Sequence, residues 1–140
     1  MSWIRSFFVF VGIVEFVIGT SFLIMADKIF YYFNISPVNH IEHVQFTALL
    51  IMVFGLMMFN VAADPARNRN LIFYCILFKI AFCSVTFYYW FFANLSWLWI
   101  VFAGFDLVYT IGFILALRVL PIGFINKIRL DKDQRSQDGI

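Results

Sequence analysis

The fold is decided by stretches such as residues 97–120, which read WLWIVFAGFDLVYTIGFILALRVL. A helix of about 20 apolar residues crosses the roughly 30 Å hydrocarbon core of a bilayer, and this stretch is long and apolar enough to do so. Three further stretches share that length and character, namely residues 3–25, 44–62 and 71–91. The sequence therefore predicts an all-α fold, an integral membrane bundle of four helices.

The composition leaves little room for a soluble domain. Hydrophobic residues make up 64% of the 140 residues and charged residues 13%, about half the usual charged share. We therefore predict one transmembrane domain over residues 1–121, followed by a short interfacial segment and a polar tail over residues 122–140. The expected surroundings are the lipid bilayer and other membrane subunits or further copies of the chain, with no role for nucleic acid.

The basic residues predict the orientation of the chain. With the N-terminus inside, the cations of the inner side are Arg5, Arg67, Arg69, Arg118, Lys127, Arg129, Lys132 and Arg135, and the outer side has Lys28. The positive-inside rule then puts both termini in the cytoplasm, and we expect the inner membrane of a bacterium. Arg67, Arg69, Lys127 and Arg129 are the predicted contacts to lipid phosphates. For Lys127 and Arg129, the alternative is a solvated tail without lipid contact.

Three ionisable residues fall near the middle of three predicted spans. Glu15 lies ten residues after Arg5, Lys79 ten after Arg69, and Asp106 twelve before Arg118, so all three reach a similar depth. A charged side chain at this depth costs at least about 2.5 to 3.5 kcal/mol, which favours side chains that turn inward and meet. Tyr109 and Thr110 flank Asp106 in sequence and are candidate supporting hydroxyls.

The charge of this cluster leaves two interpretations open. Two carboxylates and one ammonium sum to minus one, a net charge that a low-dielectric interior penalises. A proton shared within the cluster would serve a proton-coupled carrier, whereas a purely structural ion-pair lock would contain the same three residues. The residues alone favour the lock and keep the carrier as a minority hypothesis.

Histidines and aromatic residues mark the predicted outer side. His40 and His43 share a helix face at i, i+3 and could ligate a metal, but a site needs three or four ligands, so interfacial histidines are the preferred interpretation. Asn39 is the expected cap of the second helix. Phe30, Tyr31, Tyr32 and Phe33 are predicted to anchor a loop in the headgroup region. The later aromatic residues, Phe87, Tyr88, Tyr89, Trp90, Trp97 and Trp99, form either an interfacial belt, which is favoured, or a lipid or quinone cleft.

The turn between the second and third spans has a defined pattern. It reads Ala62-Ala63-Asp64-Pro65-Ala66-Arg67-Asn68-Arg69, in which Asp before Pro is a helix-start signature. Together with Lys79 and Asp106, this turn resembles the small four-helix membrane proteins of the DoxX-like and BphX-like group. The resemblance implies a four-helix bundle, with an association in some members with quinone-linked or sulfur redox chemistry.

These features predict a membrane protein without enzymatic activity or cofactor of its own. The expected role is a packing or lipophile-binding subunit of a larger membrane assembly. The first alternative is a small proton-coupled carrier that uses Glu15, Lys79 and Asp106, and the second, which the resemblance implies, is a quinone-linked redox component.

Overall fold

The computed structural model describes residues 2–36 and 39–120, and all regular structure within them is helical. The helices are α1 (Ser2–Tyr32), α2 (Ile41–Ala63), α3 (Arg69–Ala93) and α4 (Trp97–Val119). Each is long and apolar enough to cross a membrane. The predicted all-α fold of four long apolar helices is thus confirmed. The predicted interfacial segment and tail, residues 122–140, lie outside the described residues.

Helix α1 is longer than the sequence predicts. The predicted span ends at residue 25 and is followed by a loop, whereas the helix continues to Tyr32 and is interrupted only at Met25, where φ is −125° and ψ is 20°. Asp27 and Lys28, predicted to lie in the loop, are exposed on the helix surface. The loss of apolar pattern at these charges therefore does not mark the end of the helix.

The aromatic residues at the end of α1 are not all surface anchors. Phe30 is only 4% exposed and packs against Phe22 with ring centroids 6.3 Å apart, so its predicted role as a surface anchor is wrong. Tyr31 and Tyr32 are exposed, as an interfacial position requires. After the kink at Met25, the last turns of α1 place the ring of Phe30 against the bundle and the rings of Tyr31 and Tyr32 outside it.

The turn between α2 and α3 uses Asp64 differently from the prediction. Asp64 follows the last residue of α2, and its carboxylate accepts a hydrogen bond from the Arg67 backbone N–H at 3.1 Å. Helix α3 begins only at Arg69, so Pro65 belongs to the turn and is not the first helical residue. The acceptor role of Asp64 is that of a cap, but it stabilises the connecting turn and not the start of α3.

Helices α1 and α2 pack with their backbones in contact. A Cβ atom added to Gly55 would lie 2.8 Å from the carbonyl oxygen of Gly12, and one added to Gly19 would lie 2.7 Å from the carbonyl oxygen of Ala48. Only residues without a side chain allow two helix backbones to come this close. The connected helices α3 and α4 form the second close pair, so the bundle consists of two helical hairpins.

The two ends of the bundle are packed differently. At the end with the N-terminus, all four helices contribute to one core, whose largest fully buried side chains include Phe8, Phe113, Met58 and Ile72. At the other end, a smaller core comes from α1, α2, α4 and the segment after α1, and the described residues of α3 are not part of it. The bundle is therefore closed at the first end and looser between the hairpins at the second.

We expect Gly55→Ala to destabilise the protein, because the new methyl group meets backbone and not a movable side chain. The cost should be roughly 1 to 3 kcal/mol, the usual range for overpacking. Gly104→Ala is the matched control, since a Cβ atom there has no neighbour within 4 Å. Thermal unfolding in detergent measures both variants. Equal unfolding midpoints for Gly55→Ala and Gly104→Ala would contradict the packing described for α1 and α2.

Candidate functional site

The packing of α1 on α4 brings Glu15 and Asp106 to the same level. Two stacked ring pairs join these antiparallel helices, and they are Phe8 with Phe113, 5.2 Å between centroids, and Phe22 with Trp99, 6.0 Å between centroids. Glu15 lies midway between the two rings of α1, and Asp106 midway between the two rings of α4. The register of the rings therefore sets the carboxylates opposite each other.

Lys79 enters from α3 at the same level. The thiol of Cys83 contacts the carbonyl oxygen of Ala103 at 3.4 Å and fixes α3 against α4, with Lys79 one turn away. The Lys79 ammonium donates to Oε1 of Glu15 and to Oδ1 of Asp106, the second bond being 2.6 Å long. The three side chains are between 3% and 14% exposed. We call Glu15, Lys79 and Asp106 the ion triad.

Aromatic rings complete the surroundings of the ammonium. Nζ of Lys79 lies 5.3 Å from the ring centroid of Phe54 and 5.8 Å from that of Tyr109, within the distance at which a ring face attracts a cation. The supporting hydroxyls act differently from the prediction. Thr110 donates to the backbone carbonyl of Asp106 at 2.7 Å and not to its carboxylate, while Tyr109 contributes its ring.

A cavity of about 650 Å³ separates the two hairpins on the side of the triad away from the N-terminus. Glu15, Lys79, Asp106 and Tyr109 form its polar end. Apolar side chains from all four helices form the walls, and they include Ile18, Phe22, Ile51, Phe82, Trp99 and Phe102. This volume lies within the roughly 300 to 1,000 Å³ of small-molecule sites. The site is thus an apolar chamber with one charged end.

The cavity is covered at the end away from the triad and open at its sides. Phe30 and Ile35, which line it, belong to the end of α1 and the segment that follows. Thr47 on α2 and Phe78 on α3 also line it and are exposed on the outside of the bundle. The cavity therefore reaches the surroundings sideways, between α2 and α3.

The aromatic residues predicted to form either an interfacial belt or a cleft do not all lie in the same surroundings. Trp99 lines the cavity, whereas Tyr88, Tyr89, Trp90 and Trp97 are exposed. No feature of the sequence distinguishes Trp99 from Trp97, because both belong to one continuous apolar run. The other wall residues, such as Ile18 and Phe102, are equally unmarked, and sequence reasoning missed them.

The two histidines lie at the start of α2. His40, and not the predicted Asn39, precedes the first helical residue and makes no capping hydrogen bond. Its Nδ1 lies 2.9 Å from Oε1 of Glu42, and its ring centroid is 5.7 Å from that of His43. Residues 2–36 and 39–120 contain no group of three or more His, Cys, Asp or Glu side chains that could hold a metal ion. His43 instead lines the part of the cavity away from the triad.

The basic residues predicted to contact lipid phosphates lie in different surroundings. The Arg69 guanidinium donates to the carbonyl oxygen of Leu120, so it caps the C-terminal end of α4, where a cation is favoured. This bond uses one of the guanidinium donors of Arg69, and its predicted contact to a lipid phosphate stays a prediction. Arg67 is exposed, and Lys127 and Arg129 lie outside the described residues.

No protein-family model, curated protein or solved structure matches the chain. The proposed function therefore rests on the chemistry of the ion triad and the cavity.

We expect Lys79→Met to destabilise the fold by roughly 3 to 5 kcal/mol, because it leaves two buried carboxylates without their counter-ion. The triple variant Glu15→Gln, Lys79→Met, Asp106→Asn should be milder, since removing both partners costs less than leaving one alone. Unfolding in detergent gives both free energies. A triple variant less stable than Lys79→Met would show that the triad is not a coupled unit.

Proposed function

We propose that this chain is a multi-pass membrane protein that holds a lipophilic molecule between its two hairpins. It does so as a lipophile-binding component of a larger membrane assembly or of a homo-oligomer. The observation that carries this proposal is the cavity of about 650 Å³, which is apolar along its walls and open sideways. A molecule dissolved in the bilayer could enter such a cavity between α2 and α3 without crossing water.

The outer faces of the helices support insertion into a bilayer. Large apolar side chains are exposed along all of them; for example, Ile24 is 75%, Val53 61%, Val85 58% and Val108 63% exposed. A soluble monomer rarely exposes apolar patches of this extent. Helix α1, with 31 residues, is about 46 Å long and exceeds the hydrocarbon thickness. Its last turns, with Asp27 and Lys28, would then reach the outer headgroup region.

The positions of the cations support the proposed orientation. Arg5, Arg67, Arg69 and Arg118 belong to the end of the bundle where all four helices form one core, and Lys28 belongs to the other end. By the positive-inside rule the first end faces the cytoplasm. The cavity then lies in the outer leaflet. The resemblance of the Asp64 turn to DoxX-like proteins is consistent with a bacterial inner membrane.

Orientation is tested by accessibility. A reporter fused after Ile140 should be active in the cytoplasm, and a single cysteine replacing Asn34 should react with a membrane-impermeant thiol reagent added outside. Both native cysteines, Cys75 and Cys83, are buried and serve as the unreactive background. Labelling of a cysteine at Asn68 from outside, instead of at Asn34, would overturn the orientation.

Binding is tested by filling the cavity. Ile51→Phe adds volume at a wall residue, and Val53→Phe introduces the same side chain at a position 61% exposed on the same helix. Protein isolated from its own membrane with mild detergent should carry a lipophile, measurable by mass spectrometry of an organic extract. Val53→Phe should retain that molecule and Ile51→Phe should lose it. Equal amounts in both variants, or none in the unmodified protein, would contradict the proposal.

A small proton-coupled carrier is the second candidate. The observation that favours it is the pairing of one ammonium with two carboxylates at the closed end of the cavity, which would allow a proton to be taken up there and released. The triple variant that removes all three charges distinguishes the candidates. Loss of proton uptake in vesicles, with folding and assembly intact, would favour the carrier.

A further inference from the structure

The polar end of the cavity includes two carboxylate oxygens that the described residues leave free of hydrogen bonds. Lys79 directs hydrogen bonds to one oxygen of Glu15 and one oxygen of Asp106. The described residues supply no hydrogen bond to the other oxygen of either carboxylate. No side-chain oxygen or nitrogen among them is both fully buried and without a partner. Since both residues line the cavity, these two oxygens can be reached from it.

The charged side chains at the polar end of the cavity have a net negative formal charge. The ionisable side chains that line it are Glu15 from α1, His43 from α2, Lys79 from α3, and Asp106 and Tyr109 from α4. His43 precedes the α2 residues packed near Glu15 by about nine positions, or roughly 13 Å along the helix. Within residues 2–36 and 39–120 no second cation lies at the level of the triad, whose formal charge is minus one, a state that an apolar interior penalises.

We propose that the lipophile is an amine, whose protonated head supplies the missing positive charge. Its N–H groups would donate to the free oxygens of Glu15 and Asp106, and its hydrocarbon body would lie along Phe22, Trp99 and Phe102. A head that only accepts hydrogen bonds, such as a ketone, would leave these two oxygens without a donor and the formal charge of minus one without a counter-ion. This inference rests on the proposed lipophile binding and names its ligand class.

Fluorescence quenching of Trp99 can report on the cavity directly. Trp99 lies seven residues before Asp106 on α4, about 10 Å from the triad along the helix. Replacing the exposed Trp3, Trp90 and Trp97 by Phe leaves it as the sole tryptophan. A bromine at the far end of an alkyl chain whose head sits at the triad is then placed close to the indole, which it quenches at short range.

The experiment compares three probes that share one brominated chain. They are 11-bromoundecylamine, the corresponding alcohol, and the corresponding trimethylammonium, each titrated into nanodiscs of zwitterionic phosphatidylcholine that contain the single-tryptophan protein. We expect the amine to quench Trp99 at a concentration at least tenfold lower than the alcohol. The trimethylammonium, which has charge but no N–H group, should fall between them.

Variants of the triad separate recognition from simple partitioning into lipid. Asp106→Asn keeps the Glu15–Lys79 pair and brings the formal charge of the site to zero, so the preference for the amine should fall by about tenfold. The triple variant without charges provides a second test, and its preference should be absent. Equal quenching by amine and alcohol in the unmodified triad, or a preference that persists in either variant, overturns the amine proposal.

The outcomes also distinguish the amine assignment from lipophile binding itself. If amine and alcohol quench equally, and Ile51→Phe abolishes both effects, the cavity binds lipophiles and only the amine assignment is wrong. If every probe quenches Trp99 equally in the protein with the unmodified cavity and in the Ile51→Phe variant, lipophile binding itself is contradicted.

Discussion

The rest of the structure depends on the bridge that Lys79 makes between Glu15 and Asp106. It joins α1 to α3 and α4, and so connects the two hairpins, which otherwise meet through few backbone approaches. In an apolar bundle the removal of Lys79 leaves both carboxylates uncompensated, so the three helices are favoured at the one mutual register that keeps this bridge. The stacked rings of α1 and α4 on either side of the triad match that register and supply apolar packing around it.

The bridge also divides the bundle into two parts with different properties. On the side of the N-terminus, all four helices fill one core. On the other side, α1 and α2 remain packed through their glycines while α3 no longer joins the core, and the cavity opens between the hairpins. The charged residues thus mark the boundary between a part that holds the helices together and a part that has room for a ligand. This division is why we place the proposed function at the triad.

The sequence was sufficient for features that depend on counting along a helix. The lengths of the apolar stretches predict four helices, and the spacing of Glu15, Lys79 and Asp106 from the basic helix ends predicts a common level. Features that depend on which helix face meets a neighbour were not accessible. Phe30 reads as an interfacial aromatic residue because nothing in the sequence marks the kink at Met25. The bond of Arg69 to a backbone carbonyl 51 residues away could not be foreseen, because no local pattern marks it. The cavity walls are apolar residues like those that face outward, so no pattern sets them apart.

The most direct measurement is the distance between the Lys79 ammonium and the carboxyl groups of its partners in a bilayer. Solid-state NMR on protein labelled with ¹⁵N at lysine Nζ and ¹³C at the side-chain carboxyls of Asp and Glu measures this distance through dipolar dephasing. The account predicts one lysine nitrogen within roughly 4 Å of both an Asp and a Glu carboxyl carbon, with both couplings absent in Lys79→Met. Dephasing that is missing, or that persists in Lys79→Met, would contradict the bridge on which the fold and the proposed site depend.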